Sequence, residues 1–494
     1  MASPIPPTFK AALLACLASL AGCGTPADDH IDVVVIGEAD DPFQQGIRLS
    51  AAGQIVRAAT TEGLVAFDAQ GRVVPALADR WIITDDGLSY IFRLRDGTWR
   101  DGTEITGATA RRAFEDAVSA LDKTALGLDL SAITESRQMA GRVLEIRLAR
   151  PVPDFLQILA QPELGLAHDG EGTGPMALTK AEAVARLEPI PPDELGLPEI
   201  PDWDDRTRTV LLTATDGERA IELLNDGEVD IVLNGRIEDF PRAAAIGILR
   251  GTIQPDAVSG LFGLKVARPR GFLAEAENRE AVSMAINRAE LLADFGIDGW
   301  VPTTRLVSAP PVDGGPVVEE RWVGLTFEER QQVAATRVAR WRDNAGEGEL
   351  PQLTVWLPEG PGADMLFRRL AADLSPVGIG LERAERSNNA DLRLIDMVAR
   401  YPSATWYLNR MNCEIWRAVC DSRVDRMVAE ADAIPFAAVR AERLAEAEVL
   451  LTQANGFIPF GSPVRWSLVR GNVEGFASNP SGWHPLMPLA TVPR

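Results

Sequence analysis

Residues 209–233 read TVLLTATDGERAIELLNDGEVDIVL, and this stretch decides the fold class. The opening TVLLTA is a short run of apolar and β-branched residues, the composition of a strand. Thr215 and Glu218 stand at capping-box spacing, where a Thr side chain accepts from a backbone N–H three residues on while the Glu reaches back. Ala220, Leu223 and Leu224 recur at helical spacing, and Gly227 supplies the left-handed residue that ends a helix. VDIVL then reads as a second strand. Strand, helix and strand within so short a span form a β-α-β crossover, which implies a parallel sheet and an α/β fold.

Upstream, DVVVIG (32–37) is a strand, and 51–67 reads as a helix leading into a strand, with Ile55, Val56, Leu64, Val65 and Phe67 apolar. FDAQGRVV is a hairpin turn. WIIT, a DDG turn and LSYIFRL (81–94) form a β-meander whose Leu88, Tyr90, Phe92 and Leu94 point one way, with Trp81 expected inside. Ala110, Ala113, Phe114, Ala117, Val118 and Leu121 mark an amphipathic helix. Downstream the style repeats without a sequence repeat. Helices are expected at 279–295, 328–342 and 363–374, with a last one carrying Leu444, Ala447 and Leu451; strands are expected at LTVWL, IGLER and the extended FIPFGSPVRWSLVRGNVEGF.

The chain has 494 residues, enough for two or three compact units, and a net charge of −22, which repels phosphate backbones and anionic lipid surfaces. Nucleic acid is thereby excluded as a partner class. The three histidines, His30, His168 and His484, are scattered, leaving little material for a metal site or a His-based triad, and no cofactor is called for. Residues 1–22 read as a signal peptide whose apolar core is too short to span a bilayer. That core ends in Leu20-Ala21-Gly22-Cys23, which resembles the bacterial lipobox, so Cys23 is expected to carry a lipid anchor ahead of a tether at 23–31. A plain export signal with Cys23 a free thiol is the alternative. Cys413 and Cys420 then remain as the one pair, and an exported chain suggests a disulfide between them, two buried thiols being the other reading.

Six segments in order resemble the dipeptide and oligopeptide-binding receptors of ATP-driven importers, solute-binding protein family 5. They are TTEGLVAFDAQGRVVPALADRW, DDGLSYIFRLRDGTWRDGTEIT, GTGPM, LLNDGEVDIVL, NREAVSMAINRAEL and FIPFGSPVRWSLVRGNVEGF. The resemblance implies a two-lobed fold of the type II periplasmic-binding-protein kind, with an extra β-rich subdomain in lobe one and two hinge-crossing strands. Lobe one is expected at 32–262 with a return at 468–494, and lobe two at 263–467. DMVARYPSATWYL (396–408) looks like the family's ligand loop, commonly W-x-x-D-Y, whose acid pairs with a ligand ammonium. Here Met397 replaces the Trp and Arg400 stands at the acid, while Lys265 and Met176 depart elsewhere from the family pattern.

Asp396, Arg400, Tyr401 and Trp406 are the candidate ligand residues, with Arg400 expected either to hold an anionic ligand end or, with a different residue holding the ligand, to face solvent or pair with a nearby acid such as Asp396. A disulfide just after this loop is similar to the dipeptide branch. The implied function is a monomeric, lipid-anchored receptor of the periplasm or cell envelope that passes a short peptide or peptide-like solute to an ABC permease, without catalysis. A non-transport receptor of the same fold, a sensor or envelope chaperone, is one alternative. An exported hydrolase with a carboxylate pair is another, though no Ser, Cys or His constellation supports a nucleophile.

Overall fold

The computed structural model describes residues 29–246, 252–308, 315–345 and 350–492, so the signal segment and Cys23 lie outside the described residues. Strand Thr209–Thr215, helix Gly217–Asp226 and strand Ile231–Gly235 realise the crossover, both strands running parallel to His30–Ile36 between them. The helix cap is Asp216 rather than Thr215: Thr215 is still paired in the strand, while Asp216 is extended and accepts from the Arg219 N–H at 3.0 Å. Gly227 ends the helix with φ 91°. The sheet has seven strands, in the order 176–181, 184–189, 209–215, 30–36, 231–235, 465–469, 252–256.

The meander forms a separate four-stranded antiparallel sheet, in the order Ala78–Ile83, Ser89–Leu94, Val143–Leu148, Ile133–Gln138. Tyr90, Phe92 and Leu94 are buried in it as expected, but Trp81 is only half-buried because its strand is the sheet edge. The buried indole is Trp99, whose Nε1–H donates to Thr109 Oγ1 at 3.1 Å. Helix Gly107–Ala120 covers this core with Ala110, Ala113 and Phe114, while Ala117 and Val118 lie at its margin.

The second large sheet has five strands: Gly380–Arg383, Gln352–Trp356, Leu392–Val398, Gly260–Val266 and Phe457–Gly461. The helix expected at 279–295 is two helices, Ala276–Ala285 and Arg288–Ala293, broken where the Asn287 N–H donates to Asp373 at 2.8 Å and its side chain caps the second helix.

Chain passes between the two sheets twice. Strand Thr252–Asp256 lies in the first and Gly260–Val266 in the second; Phe457–Gly461 lies in the second and Arg465–Val469 in the first. Ladder hydrogen bonds commit a whole strand to one sheet, so the exchange falls in the gaps 257–259 and 462–464. The expected boundaries after 262 and 467 sit inside strands, a few residues too late. Cys413 and Cys420 are joined by a disulfide with Cα atoms 5.3 Å apart.

Candidate ligand-binding site between the lobes

In open α/β sheets a ligand site forms beyond the carboxyl ends of parallel strands. Strands 30–36, 209–215 and 231–235 run together and end near the hinge, where Gly235 pairs with Trp466. Strands 352–356, 380–383 and 392–398 also run together, and Val398 ends opposite Gly260, the first paired residue beyond the crossing. The carboxyl ends of both sheets therefore converge on the two crossings. The Gly362 N–H at the start of helix Pro361–Leu374 donates to the Glu238 carbonyl at 2.8 Å, seating lobe two on the loop that leaves strand 231–235.

Four charged residues gather at this convergence. Asp396 does not meet Arg400; both its carboxylate oxygens accept from Arg465 Nη1, at 2.8 and 3.0 Å, across the hinge. Arg236 and Glu238, on the loop after strand 231–235, are half-buried; their opposite charges attract one another and the Glu238 carboxylate accepts from its own backbone N–H, while neither is hydrogen-bonded to another side chain among the described residues. Burial, reinforced by the Asp396 charge, pushes the Glu238 carboxyl up to about 7. Burial also lowers the Arg465 guanidinium, against the opposing pull of Asp396.

Farther out, Arg400 crosses the cleft. Its Nη1 donates to Glu163 Oε2 at 2.7 Å and to Gln161 Oε1 at 2.9 Å, and its Nη2 donates to Glu163 Oε1 at 2.6 Å. Arg400 thus pairs with an acid, as one of its expected alternatives had it, but the acid is Glu163 of lobe one and not Asp396, because a carboxylate buried there, with its side chain 3% exposed, requires a cation. Burial opposes both charges, yet each partner outweighs it: the Arg400 pKa is raised and the Glu163 pKa lowered.

Tyr401, buried next to it, donates its hydroxyl to Asp129 Oδ1 at 2.8 Å, and Asn409 Nδ2 donates to the same oxygen at 2.8 Å. Burial pushes Asp129 up to about 6. Trp406 is 1% exposed and packs in the core, edge-on to Tyr407 and beneath the Arg410 guanidinium, so it shapes the loop from behind. Arg150 of lobe one and Asp432 of lobe two add a third interlobe pair at 2.7 Å. The apolar core under these contacts is continuous, running from Leu64, Phe155 and Leu164 to Leu261, Tyr401 and Trp406.

Sequence reasoning missed Arg236, Glu238, Glu163, Asp129 and Arg465. The signal for Arg236 and Glu238 was present, since they follow the second strand of the crossover, where the carboxyl-end rule places ligands. Glu163 and Asp129 carry no local signal.

The family model of bacterial extracellular solute-binding proteins, family 5 Middle, matches residues 72–316. The chain is 23% identical to a probable di/tripeptide-binding protein 5 of Pseudomonas aeruginosa, over 85% of this chain and 87% of that one. It is 27% identical to a probable deoxycholate-binding periplasmic protein of Escherichia coli, over 60% of this chain and 58% of that one. Among solved structures it resembles the E. coli murein tripeptide binding protein, with TM-score 0.78, 17% identity and coverage of 94% and 99% of the two chains. Haemophilus influenzae OppA in complex with RPPGFSPFR gives TM-score 0.76 at 17% identity, over 95% and 100%. These proteins are binders, not enzymes, and among the described residues no helix is long and apolar enough to cross a membrane.

Proposed function

The chain belongs to the bacterial extracellular solute-binding proteins of family 5, and from that premise we propose that it captures a short peptide or peptide-like solute between its lobes for delivery to an ABC permease. One observation carries the reading: Arg236 and Glu238, opposite in charge and hydrogen-bonded to no other side chain among the described residues, stand where the carboxyl ends of the two sheets converge. A guanidinium suits a carboxylate and a carboxylate suits an ammonium, so the two together suit a zwitterion. Glu238 supplies from lobe one the acid that the ligand loop lacks, since Arg400 fills that position and is itself engaged by Glu163. The di- and tripeptide names carried by relatives support the same class of solute.

Calorimetry with free-amine dipeptides and tripeptides tests this. Glu238→Gln is expected to weaken them by about 2–5 kcal/mol, the range for removing one partner of a buried charge pair, while N-acetylated peptides bind both proteins poorly and alike. Equal affinity of the two proteins for free-amine peptides overturns the role of Glu238. Absence of binding by any peptide of this size overturns the solute class.

The same reading places the receptor at the outer face of a membrane, held by acyl chains on Cys23. Cys23→Ser then moves the protein from the membrane fraction to the soluble one, because two acyl chains supply the attachment. Unchanged partitioning counts against the anchor.

A further inference from the structure

A cavity of about 390 Å³ lies in lobe one, between helix Ala51–Thr60, the loop ahead of that helix and the hairpin that pairs Ala167–His168 with Glu171–Gly172. Its volume falls in the range of small-molecule sites. Arg57 and Arg100 both line it, with Gln45 and Thr61 among its polar walls and Val56 and Leu178 among its apolar ones.

The two arginines are held from different walls. Arg57, half-buried in the last turn of the helix, donates from Nη2 to the Gly46 carbonyl at 3.0 Å, on the loop before the helix. Arg100, exposed, donates from Nη2 to the Met176 carbonyl at 2.7 Å and the Gly174 carbonyl at 3.2 Å, at the head of strand Met176–Ala181. Each bond fixes one terminal nitrogen and leaves Nε and Nη1 without an acceptor among the described residues, and those of Arg57 keep accessible surface. Neither arginine has an ion-pair partner within reach, because the acids nearby are engaged. Glu163, whose charge acts on Arg57, is bound by Arg400, and Glu62, whose charge acts on Arg100, is bound by Arg95. Burial lowers the Arg57 pKa against the pull of Glu163. Glu171 is the one acid in the wall, so two cations face one carboxylate and the cavity is positive in a chain of net charge −22.

We propose that this cavity is a second binding site, for a small hydrophilic anion whose carboxylate or phosphate head is taken by Arg57 and Arg100. A guanidinium presents its N–H groups in a planar fork that matches either oxyanion, and the donors left unpaired here are the ones such a head uses. Gln45 and Thr61 suit a hydroxylated body better than an aliphatic one. The cavity adjoins the Arg400–Glu163 contact, since Gln54 of the same helix donates to Glu163 Oε1 at 3.4 Å, but Arg236 and Glu238 take no part in its wall.

The test is calorimetry on the full chain at neutral pH and low ionic strength, with gluconate and glucose 6-phosphate as probes and glucose as the uncharged control. An anion is expected to saturate one site per chain while glucose does not bind, and the tighter of the two anions identifies the head group. Arg57→Gln is expected to weaken that anion about tenfold or more. Gln45→Glu, at an exposed wall residue, sets a second carboxylate at the cavity and is expected to weaken it about threefold or more by repulsion. Glu238→Gln leaves it unchanged. Saturation by neither anion up to about 1 mM, glucose binding as tightly as the anions, affinity unmoved in both wall variants, or loss of the anion in Glu238→Gln, which moves it to the hinge cluster, each overturns the proposal.

Discussion

Arg400 and Glu163 are separated by 237 residues, yet they make a bidentate contact between the lobes, with the two terminal guanidinium nitrogens on the two carboxylate oxygens. Such a pair gains Coulomb energy in a low dielectric but loses the hydration of two ions, so its net worth is small while the cost of breaking it from one side is large. Arg400→Met alone strands a buried Glu163 and is expected to lower unfolding stability by about 3–5 kcal/mol, less if the lobes part and water reaches the carboxylate. Arg400→Met combined with Glu163→Leu removes both ions and is expected to recover most of that loss. Urea unfolding of the two single variants and the double variant reads the cycle. A double variant as unstable as the sum of the singles defeats the paired-charge account and assigns the loss to packing around Gln161 and Tyr401.

At the scale of elements, periodicity carried most of the fold because strands and helices bury one face of their own residues. The crossover at 209–233, the hairpin at 65–75 and the alternation of Tyr90, Phe92 and Leu94 were legible for that reason. What failed were features fixed by neighbours distant in sequence. Trp81 and Trp99 are both aromatic residues beside DG turns, but one lies on an edge strand and the other under a helix, which only the sheet order decides. The break at Asn287 depends on Asp373, and the strand Gly260–Val266 depends on Gly263, where a β-carbon would sit 2.2 Å from the Ile458 carbonyl oxygen of the neighbouring strand. In the candidate site the loop at 396–406 was legible as a location, through its likeness to a family pattern. Its partners were not: Arg400 takes a carboxylate and Tyr401 an aspartate, both from lobe one, and nothing at 129 or 163 in the sequence announces an interface.

For the whole molecule, the buried acids set how stability follows pH. Burial raises Asp129 and Asp373 to about 6 and Glu238, Glu320 and Glu448 to about 7, in both lobes. In each the folded pKa lies above the unfolded value, so between the two values the folded chain holds more protons than the unfolded one. The contribution is fully present below about pH 4, near the unfolded carboxyl values, and is lost as pH rises through 6 and 7. Glu145 acts the other way: a hydrogen bond from Ser89, then bonds from Arg137 and Arg147, outweigh its desolvation and hold it at about 2, so its contribution is lost only as pH falls through that value. The net charge of −22 at pH 7 adds self-repulsion that fades toward the isoelectric point near 4.7, with the same sign as the raised acids. The melting temperature is therefore expected to be highest near pH 5 and to fall between pH 5 and 7.5, with refolding at pH 6 taking up protons from the buffer. Asp129→Asn and Glu448→Gln together should flatten that slope, since Asp129 serves two donors across the cleft and Glu448 accepts from the Val307 N–H at 3.1 Å without needing its charge. Scanning calorimetry in dilute solution across this range, repeated in buffers of different ionisation enthalpy, measures both quantities. A melting temperature that climbs steadily from pH 5 to 7.5, or proton release on refolding, shows that these carboxyls are ionised in the folded protein and that burial does not govern them.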